Sequence, residues 1–324
     1  MLTFILRRLL YSIPVLIAAS FLIFVSVSAA GDPLSTLKQN PLVSEQTLKN
    51  ISEKKHLDEP LLIRYGYWVQ EAVTDKFGTP LLVEEPIWND LKRVIPHTLQ
   101  LVLLAESFAI FFGILIGVYS AIRQYSFFDY TTTTLSFLGF AMPVFWLALM
   151  LQILFTNIAL KWDVRIFYTS GLSSTDAGSG FGFVVDRLQH LAIPAMTIAV
   201  VSMAQYSRYM RAAMLEVINS DYVRAARAKG LTETKVTMKH AFRNALIPVV
   251  TISALNFGVL IGGAVITESI FGLDGMGPYF LNNLLSQDAY PVMAWLMVVA
   301  TMVVAFNLIA DVVYAKLDPR IRFE

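Results

Sequence analysis

The 324-residue chain contains no cysteine, which excludes disulfides, thiolate metal centres and cysteine nucleophiles. Charge is scarce too. Asp, Glu, Lys and Arg make up 15% of the residues, against about a quarter in an ordinary soluble domain. The net charge of +1 gives no general attraction to nucleic acid. Four histidines, His56, His97, His190 and His240, are scattered without metal-ligand spacing. There is no G-x-x-x-x-G-K-S/T loop, so the chain is not expected to bind ATP itself. H-E-x-x-H, G-x-S-x-G and an aspartate pair in facing apolar segments are missing as well, which argues against an intramembrane hydrolase. What the chain has in abundance is apolar surface: 56% of it is hydrophobic, and its mean hydropathy is +0.60. The solvent implied for much of it is lipid.

Six apolar runs are long enough to cross about 30 Å of hydrocarbon. They are Leu9–Ala30, Thr98–Ala121, Thr133–Thr156, Leu188–Tyr209, Leu246–Ile270 and Val292–Ala315. The opening "MLTFILRR" resembles a signal peptide, but the run behind it exceeds the roughly 7–15 residues of an ordinary signal core. An uncleaved first helix is therefore expected. The fourth run is the weakest, since only 17 residues separate His190 from Arg208. Its helix should continue into water, with Arg208 and Arg211 snorkelling at the interface. Pro14, Pro143, Pro194 and Pro248 fall in or near spans, where neighbouring helices can satisfy the freed carbonyls.

Basic residues in short loops orient such a chain. Arg7 and Arg8, Arg123, the Tyr209–Leu246 segment, and Lys316, Arg320 and Arg322 all fall on one side if there are six spans. On the other side Phe271–Pro291 carries no Lys or Arg, although Lys161, Arg165 and Arg187 weaken the bias. Both termini are expected in the cytoplasm. The division reads as a first segment and span at 1–30, an extracytoplasmic loop at 31–97, a core at 98–315 containing a basic loop at 209–246, and a tail at 316–324.

Within the long outer loop, "EPLLIRYGYWVQEAV" places Leu61, Tyr65, Trp68 and Ala72 on one helical face. A second short amphipathic stretch, "IWNDLKRVI", precedes Pro96. Both are expected to lie on the outer membrane surface or to cap the bundle. The glycine-rich "SGLSSTDAGSGFGF" has neither a preceding strand nor a Lys-Ser/Thr helix start, so it is read as a flexible loop.

The most distinctive stretch is "DYVRAARAKGLTETKVTMKHAFRNALIP", Asp221 to Pro248. Its first part favours a short helix, Gly230 suits the left-handed residue that closes one, and Thr232 can cap the next. Met238, Ala241, Phe242 and Ala245 would form one apolar stripe on that second helix. Ala225, Ala226 and Gly230 would make a low-relief elbow open to close approach by another backbone, with basic residues around it for orientation. An ordinary positive-inside loop accounts for the charge but not for the Ala-Ala…Gly pattern. DNA binding by a helix-turn-helix conflicts with the direct tethering of both flanks to spans.

"YVRAARAKGL…RNALIP" resembles the cytoplasmic coupling motif, the EAA loop, of bacterial ABC-type importer permeases, with Arg224 where many members have glutamate. "RVIPHTLQLVLLA", "AMPVFWLALMLQILF", "HLAIPAMTIAV" and "ESIFGLDGMGPYFLNNLLSQDAYPV" are each similar to segments of the dipeptide/oligopeptide permease family, the first of its two paralogous subunits. Asp274 replaces a proline common there. Together the matches cover nearly the whole chain. The resemblance implies an all-α integral membrane subunit in the bacterial cytoplasmic membrane. It implies as partners a second permease, two ABC ATPases that bind ATP and Mg, and an extracytoplasmic substrate-binding protein. Peptides are the implied cargo, although similar permeases carry nickel, glutathione and some oligosaccharides. Tyr222, Arg224, Ala225, Ala226, Lys229 and Gly230 would form the ATPase-coupling surface. No catalytic or metal-binding residue and no bound cofactor is expected in this chain.

An ion-coupled carrier or channel is the rival class, because Glu106, Gln152, Gln205, Asn256, Glu268, Asn307 and Asp311 lie in or near spans. Interhelical hydrogen bonding accounts for each of them equally well. A need for ATP would separate the two classes. Ser253, Asn256 and Thr267, on a glycine-containing fifth span, are candidates for the pathway or for close helix packing. The outer segment from Phe271 should carry a short helix at Pro278–Leu285. There Tyr279, Asn282, Asn283 and Gln287 could dock a binding protein, or the segment could simply plug the mouth.

Overall fold

The structure is a computed structural model describing residues 2–81 and 83–317, with side chains over 5–81 and 83–313. The expected tail beyond Leu317, and the side chains of Lys316, Arg320 and Arg322, lie outside the described residues. No strand occurs among the described residues, in keeping with the all-α reading. The first span is α1 (Leu2–Ala29), followed by three helices of the outer loop, α2 (Ser35–Lys38), α3 (Glu45–Lys54) and α4 (Leu61–Thr74). The second span is α5 (Ile87–Ile122); α6 (Phe127–Ala141) precedes the third, α7 (Val144–Trp162); the fourth is α8 (Phe181–Ile218). The basic loop holds α9 (Asp221–Ala228) and α10 (Glu233–Lys235), and a π-helical turn at Val236–Ala241 leads directly into α11 (Phe242–Ile261), the fifth span. Two short helices, α12 (Val265–Ile270) and α13 (Met276–Leu285), precede the last span, α14 (Ala289–Leu317). Among the described residues six helices are long and apolar enough to cross a membrane.

Four expectations change in detail. "IWNDLKRVI" is not a separate surface helix: it forms the opening turns of α5, which passes through Pro96. Ile87, Leu91 and Val94 are wholly buried there, so packing outweighs the lost backbone hydrogen bond. The third run, expected at Thr133–Thr156, is broken at Met142–Pro143, so the span is α7 alone; a residue before proline is pushed out of the helical region, and Met142 has ψ of 126°. The fifth span stops at Ile261 rather than Ile270. Gly263, at φ of 98°, turns the chain there, and Val265–Ile270 forms a separate helix. In the basic loop, i→i+5 bonding displaces the apolar stripe. Val236, Ala241 and Ala245 are buried, whereas Met238 is 54% exposed.

The fourth span does extend as a 38-residue helix well beyond Tyr209. α4 caps the bundle: Trp68 is buried, and Tyr65 packs edge-on against Phe21 of α1 at 5.2 Å between centroids. Ser20 of α1 and Tyr65 share a 2.7 Å hydroxyl–hydroxyl hydrogen bond. At the other end of the bundle Arg8 pairs with Asp311 at 3.2 Å, so α1 begins beside the end of α14.

The central seam joins α5 to α8. Ala105, Ala109, Gly113 and Gly117 recur every fourth residue, and all are buried. Small residues at this spacing let two backbones approach closely in lipid, where apolar side chains gain little by leaving the solvent. A Cβ at Gly113 would stand 2.7 Å from Tyr206 Cβ, and one at Gly117 would stand 2.6 Å from the Ser207 carbonyl oxygen. The seam ends in an ion pair that holds the start of α6. Arg211 donates to both Asp129 oxygens, at 2.6 and 2.8 Å, and Asp129 is 2% exposed.

Gly117→Ala should therefore lower stability by about 1–3 kcal/mol through overpacking. The measurement is the midpoint of an SDS titration of the purified protein. Gly66→Ala is the control: it lies on a helix with nothing within 4 Å of its would-be Cβ. It should be neutral or stabilising by up to about 1 kcal/mol. Equal midpoints for the two variants would remove the seam's special role.

Candidate functional site

The basic loop is built as a rigid bracket. α9 places Val223 and Ala226 inward, 0% and 7% exposed, in the same apolar cluster as Val236, Ala241, Ala245 and Val249. Arg227 clamps the elbow from within, donating to Glu233 Oε1 at 2.9 Å and to the Ile218 carbonyl at 3.3 Å. Asn244 of α11 donates to the Tyr222 hydroxyl at 2.6 Å, tying α9 to the fifth span. Gly230 adopts φ of 76° and its amide donates to the Arg227 carbonyl at 2.9 Å, closing the helix as the sequence suggests. Thr232 takes the N-cap backbone conformation but makes no side-chain cap bond.

The coupling candidates consequently divide. Tyr222, Arg224, Ala225, Lys229 and Gly230 are exposed on the outer side of the bracket, and Arg224 pairs with Asp221. Ala226 is not on that surface: it faces the bundle. Ala228, which the pattern did not single out, is exposed beside Ala225 and supplies the second small residue. The space around Gly230 is open for 4 Å, so its requirement is conformational rather than steric within this chain.

Polar groups at bilayer depth converge on Glu106, which is fully buried. Ser202 donates to it at 2.7 Å and Tyr206 donates to its other oxygen. Ser202 and Tyr206 are four residues apart, on one face of α8. Asn256 donates to the Tyr206 hydroxyl at 2.9 Å and to Gln205 Oε1 at 3.0 Å. One network thus ties α5, α8 and α11 together. Ser253 is buried and donates to the Val249 carbonyl at 2.7 Å. Thr267 is 1% exposed and sits on α12, beyond the break in the chain. Of the three pathway candidates only Asn256 is partly open. Sequence reasoning picked out Glu106, Gln205 and Asn256 singly; Ser202 and Tyr206, which join them, look unremarkable in a linear reading.

The outer hairpin is fastened by a second buried carboxylate. Thr98 donates to Glu268 at 2.7 Å and the Gly277 amide to its other oxygen at 2.8 Å. The Thr98 hydroxyl also accepts from the Met276 amide at 2.8 Å. Gly263 and Gly277 permit this closeness, since a Cβ at Gly263 would stand 2.6 Å from the Gly277 nitrogen. Here α13 begins at Met276, two residues before the expected start, with Pro278 in its first turn. Of the docking candidates, Asn282 is exposed and Tyr279 is half-buried. Asn283 donates to the Tyr279 carbonyl at 2.8 Å. Gln287 accepts from Ser35 at 3.2 Å and from Thr36, stitching α2 to the hairpin. Asp288 accepts from the Leu81 amide at 2.9 Å, and Lys55 lies 4.3 Å above the Tyr290 ring while pairing with Glu71. Among the described residues no cluster of three or more His, Asp or Glu could hold a metal ion.

Comparison with known proteins accords with this architecture. The chain is 39% identical to the oligopeptide transport system permease protein AppB of Bacillus subtilis over the full length of both. It is 39% identical to OppB of Mycobacterium tuberculosis over 98% of each chain. Identity to the dipeptide transport system permease protein DppB of Escherichia coli is 33% over 99% of each. Among solved structures, a chain of the inward-facing MetNI methionine ABC transporter matches with a TM-score of 0.57 at 16% identity, covering 73% of this chain and all of that one. At that identity the match speaks for the fold alone. The profile of binding-protein-dependent transport system inner membrane components matches residues 113–323, and with the full-length relatives it establishes that the chain belongs to that family.

Proposed function

We propose that the chain is one of two permease subunits of an ATP-driven importer that carries di- or oligopeptides delivered by an extracytoplasmic binding protein. The observation that carries this reading is the bracket at Asp221–Ala241: an exposed Ala225/Ala228 surface backed by a buried core that continues into the spans. It suits a cleft in a separate ATPase, where ATP and Mg would be bound. The chain itself is a transport component, and hydrolysis belongs to those partners. Full-length likeness to oligopeptide and dipeptide permeases supports peptide cargo over nickel, glutathione or oligosaccharide. In this reading both termini and α9 are cytoplasmic, and the cap formed by α2–α4 with α13 faces the binding protein. Asn282 is the most accessible docking candidate, since Gln287 is engaged by α2.

Topology is directly testable, because the native chain has no thiol. Arg224→Cys should resist a membrane-impermeant label in intact cells and react after permeabilisation, whereas Asn282→Cys should react in both. Labelling of Arg224→Cys from outside would overturn the orientation.

Ala225→Trp and Ala226→Trp should fail differently. Ala225→Trp places bulk on the exposed side; the permease pair should reach the membrane but lose its ATPases, or hold them with hydrolysis uncoupled from uptake. Ala226→Trp drives an indole into a packed cluster and should cost about 1–3 kcal/mol or more of stability. ATPase content, ATP turnover and peptide uptake of the reconstituted complex separate the two cases. Wild-type content and uptake in Ala225→Trp would sink the coupling assignment.

A further inference from the structure

The hydrogen bonds that start at Glu106 have a direction. The carboxylate accepts from Ser202 at 2.7 Å and from the Tyr206 hydroxyl, so the Tyr206 proton is committed to it. The Tyr206 oxygen is then left as an acceptor, and Asn256 Nδ2 donates to it at 2.9 Å. That fixes which way the Asn256 amide points. Its second Nδ2 proton goes to Gln205 Oε1 at 3.0 Å, which fixes the Gln205 amide in turn. Two groups remain: Asn256 Oδ1, an acceptor, and Gln205 Nε2, a donor. Neither has a hydrogen-bond partner among the described residues.

Both side chains are half-buried at the seam of α8 and α11, next to Leu255 and Val259, which are 57% and 77% exposed. This face of α11 is left open by the other described residues. Unpaired amide atoms at bilayer depth are costly against hydrocarbon. Water or another polar group has to satisfy them.

We propose that Gln205 and Asn256 form a reading site for the backbone amides of a peptide in the translocation path, with Glu106 acting through Tyr206 as the positioning residue. The proposal rests on the peptide reading above. An acceptor beside a donor complements the N–H and C=O that every extended peptide offers, whatever its side chains. A hydrogen bond of this kind changes an equilibrium only about three- to tenfold net, so the site guides cargo without trapping it. Glu106 does not touch cargo; it sets the polarity of the pair.

The test uses the whole complex in liposomes, supplied with saturating loaded binding protein. Initial uptake is compared for a peptide and for the same peptide with N-methylated backbone amides. The binding protein's own preference cancels when variants are compared by the ratio of the two rates. Asn256→Leu and Gln205→Leu should each reduce the preference for the unmethylated peptide about three- to tenfold, as expected for one lost hydrogen bond. Glu106→Gln keeps the side-chain volume but lets the hydroxyl and both amides reverse. It should reduce the preference similarly, read as the ratio of the two rates in the assembled complex. A merely structural role for Glu106 would lower both rates alike. Gln205→Cys and Asn256→Cys should also react with a small water-soluble thiol reagent in the assembled complex, and this reading survives even if the leucine variants fail to assemble. Unchanged preference in the assembled variants overturns the site. So does failure of both cysteines to react, which would place the pair against the second permease. Absence of peptide uptake by the unsubstituted complex overturns the cargo itself and this site with it, an outcome distinct from uptake without altered preference.

Discussion

Ala105, Ala109, Gly113 and Gly117 bring α5 and α8 close enough for the backbone of one to meet the side-chain roots of the other. In lipid this approach has to be driven by van der Waals contact and polar pairing, because burying a leucine there gains little. The seam supplies both. Its small residues give the contact, and the Glu106 carboxylate, enclosed by Ser202 and Tyr206, gives the pairing at the same depth. A buried carboxylate is tolerable only when its oxygens are satisfied. Glu106 therefore also enforces register: a slip of α8 by one turn would strand it.

From this seam one apolar cluster runs the length of the bundle. It includes Val223 and Ala226 in the bracket, Ala245 and Val249 at the start of the fifth span, and Phe271 and Leu273 in the outer hairpin. Close-packed interiors transmit displacement because they have few voids to absorb it. Val236, Ala241 and the Asn244–Tyr222 hydrogen bond join α9 to α11, the route along which the proposed coupling would pass. The π turn between them is the local departure from regular helix, and such turns commonly accompany functional sites. The bracket thus has an inner surface packed on the bundle and an exposed outer surface, as the proposed coupling role requires.

The outer end uses a different device. Glu268 holds the hairpin through a threonine hydroxyl and a backbone amide, and Gln287, Asp288 and Tyr290 in the next turn bind the loop helices to it. A second apolar cluster, with Trp68, Ile87, Leu91 and Trp295, backs the cap. The long outer loop is therefore fastened to α13 and α14. Cap and hairpin meet whatever approaches from that side as one surface.

Span number, the basic loop, the helix closure at Gly230 and the outer helix at Pro278–Leu285 were legible in the sequence, because each depends on local composition: apolar length, charge, positive φ at glycine, and proline in a first turn. The breaks at Pro143 and Gly263 were marked by residues the sequence displays, yet whether a proline bends, breaks or is carried through depends on its neighbours. Pro96 lies in a stretch buried against the cap and is carried through, whereas Pro143 lies between faces that are mostly exposed and breaks the helix. That Ala226 faces inward while Ala225 faces outward follows from the azimuth of α9 against Val236, which no periodicity in an eight-residue helix could settle. The pairing of Glu106 with residues about 100 positions away was decided by tertiary structure. Hydropathy says that a carboxylate in a span needs a partner, but only the packing of α5 on α8 says which one, since composition carries no information about which helix faces lie opposite each other.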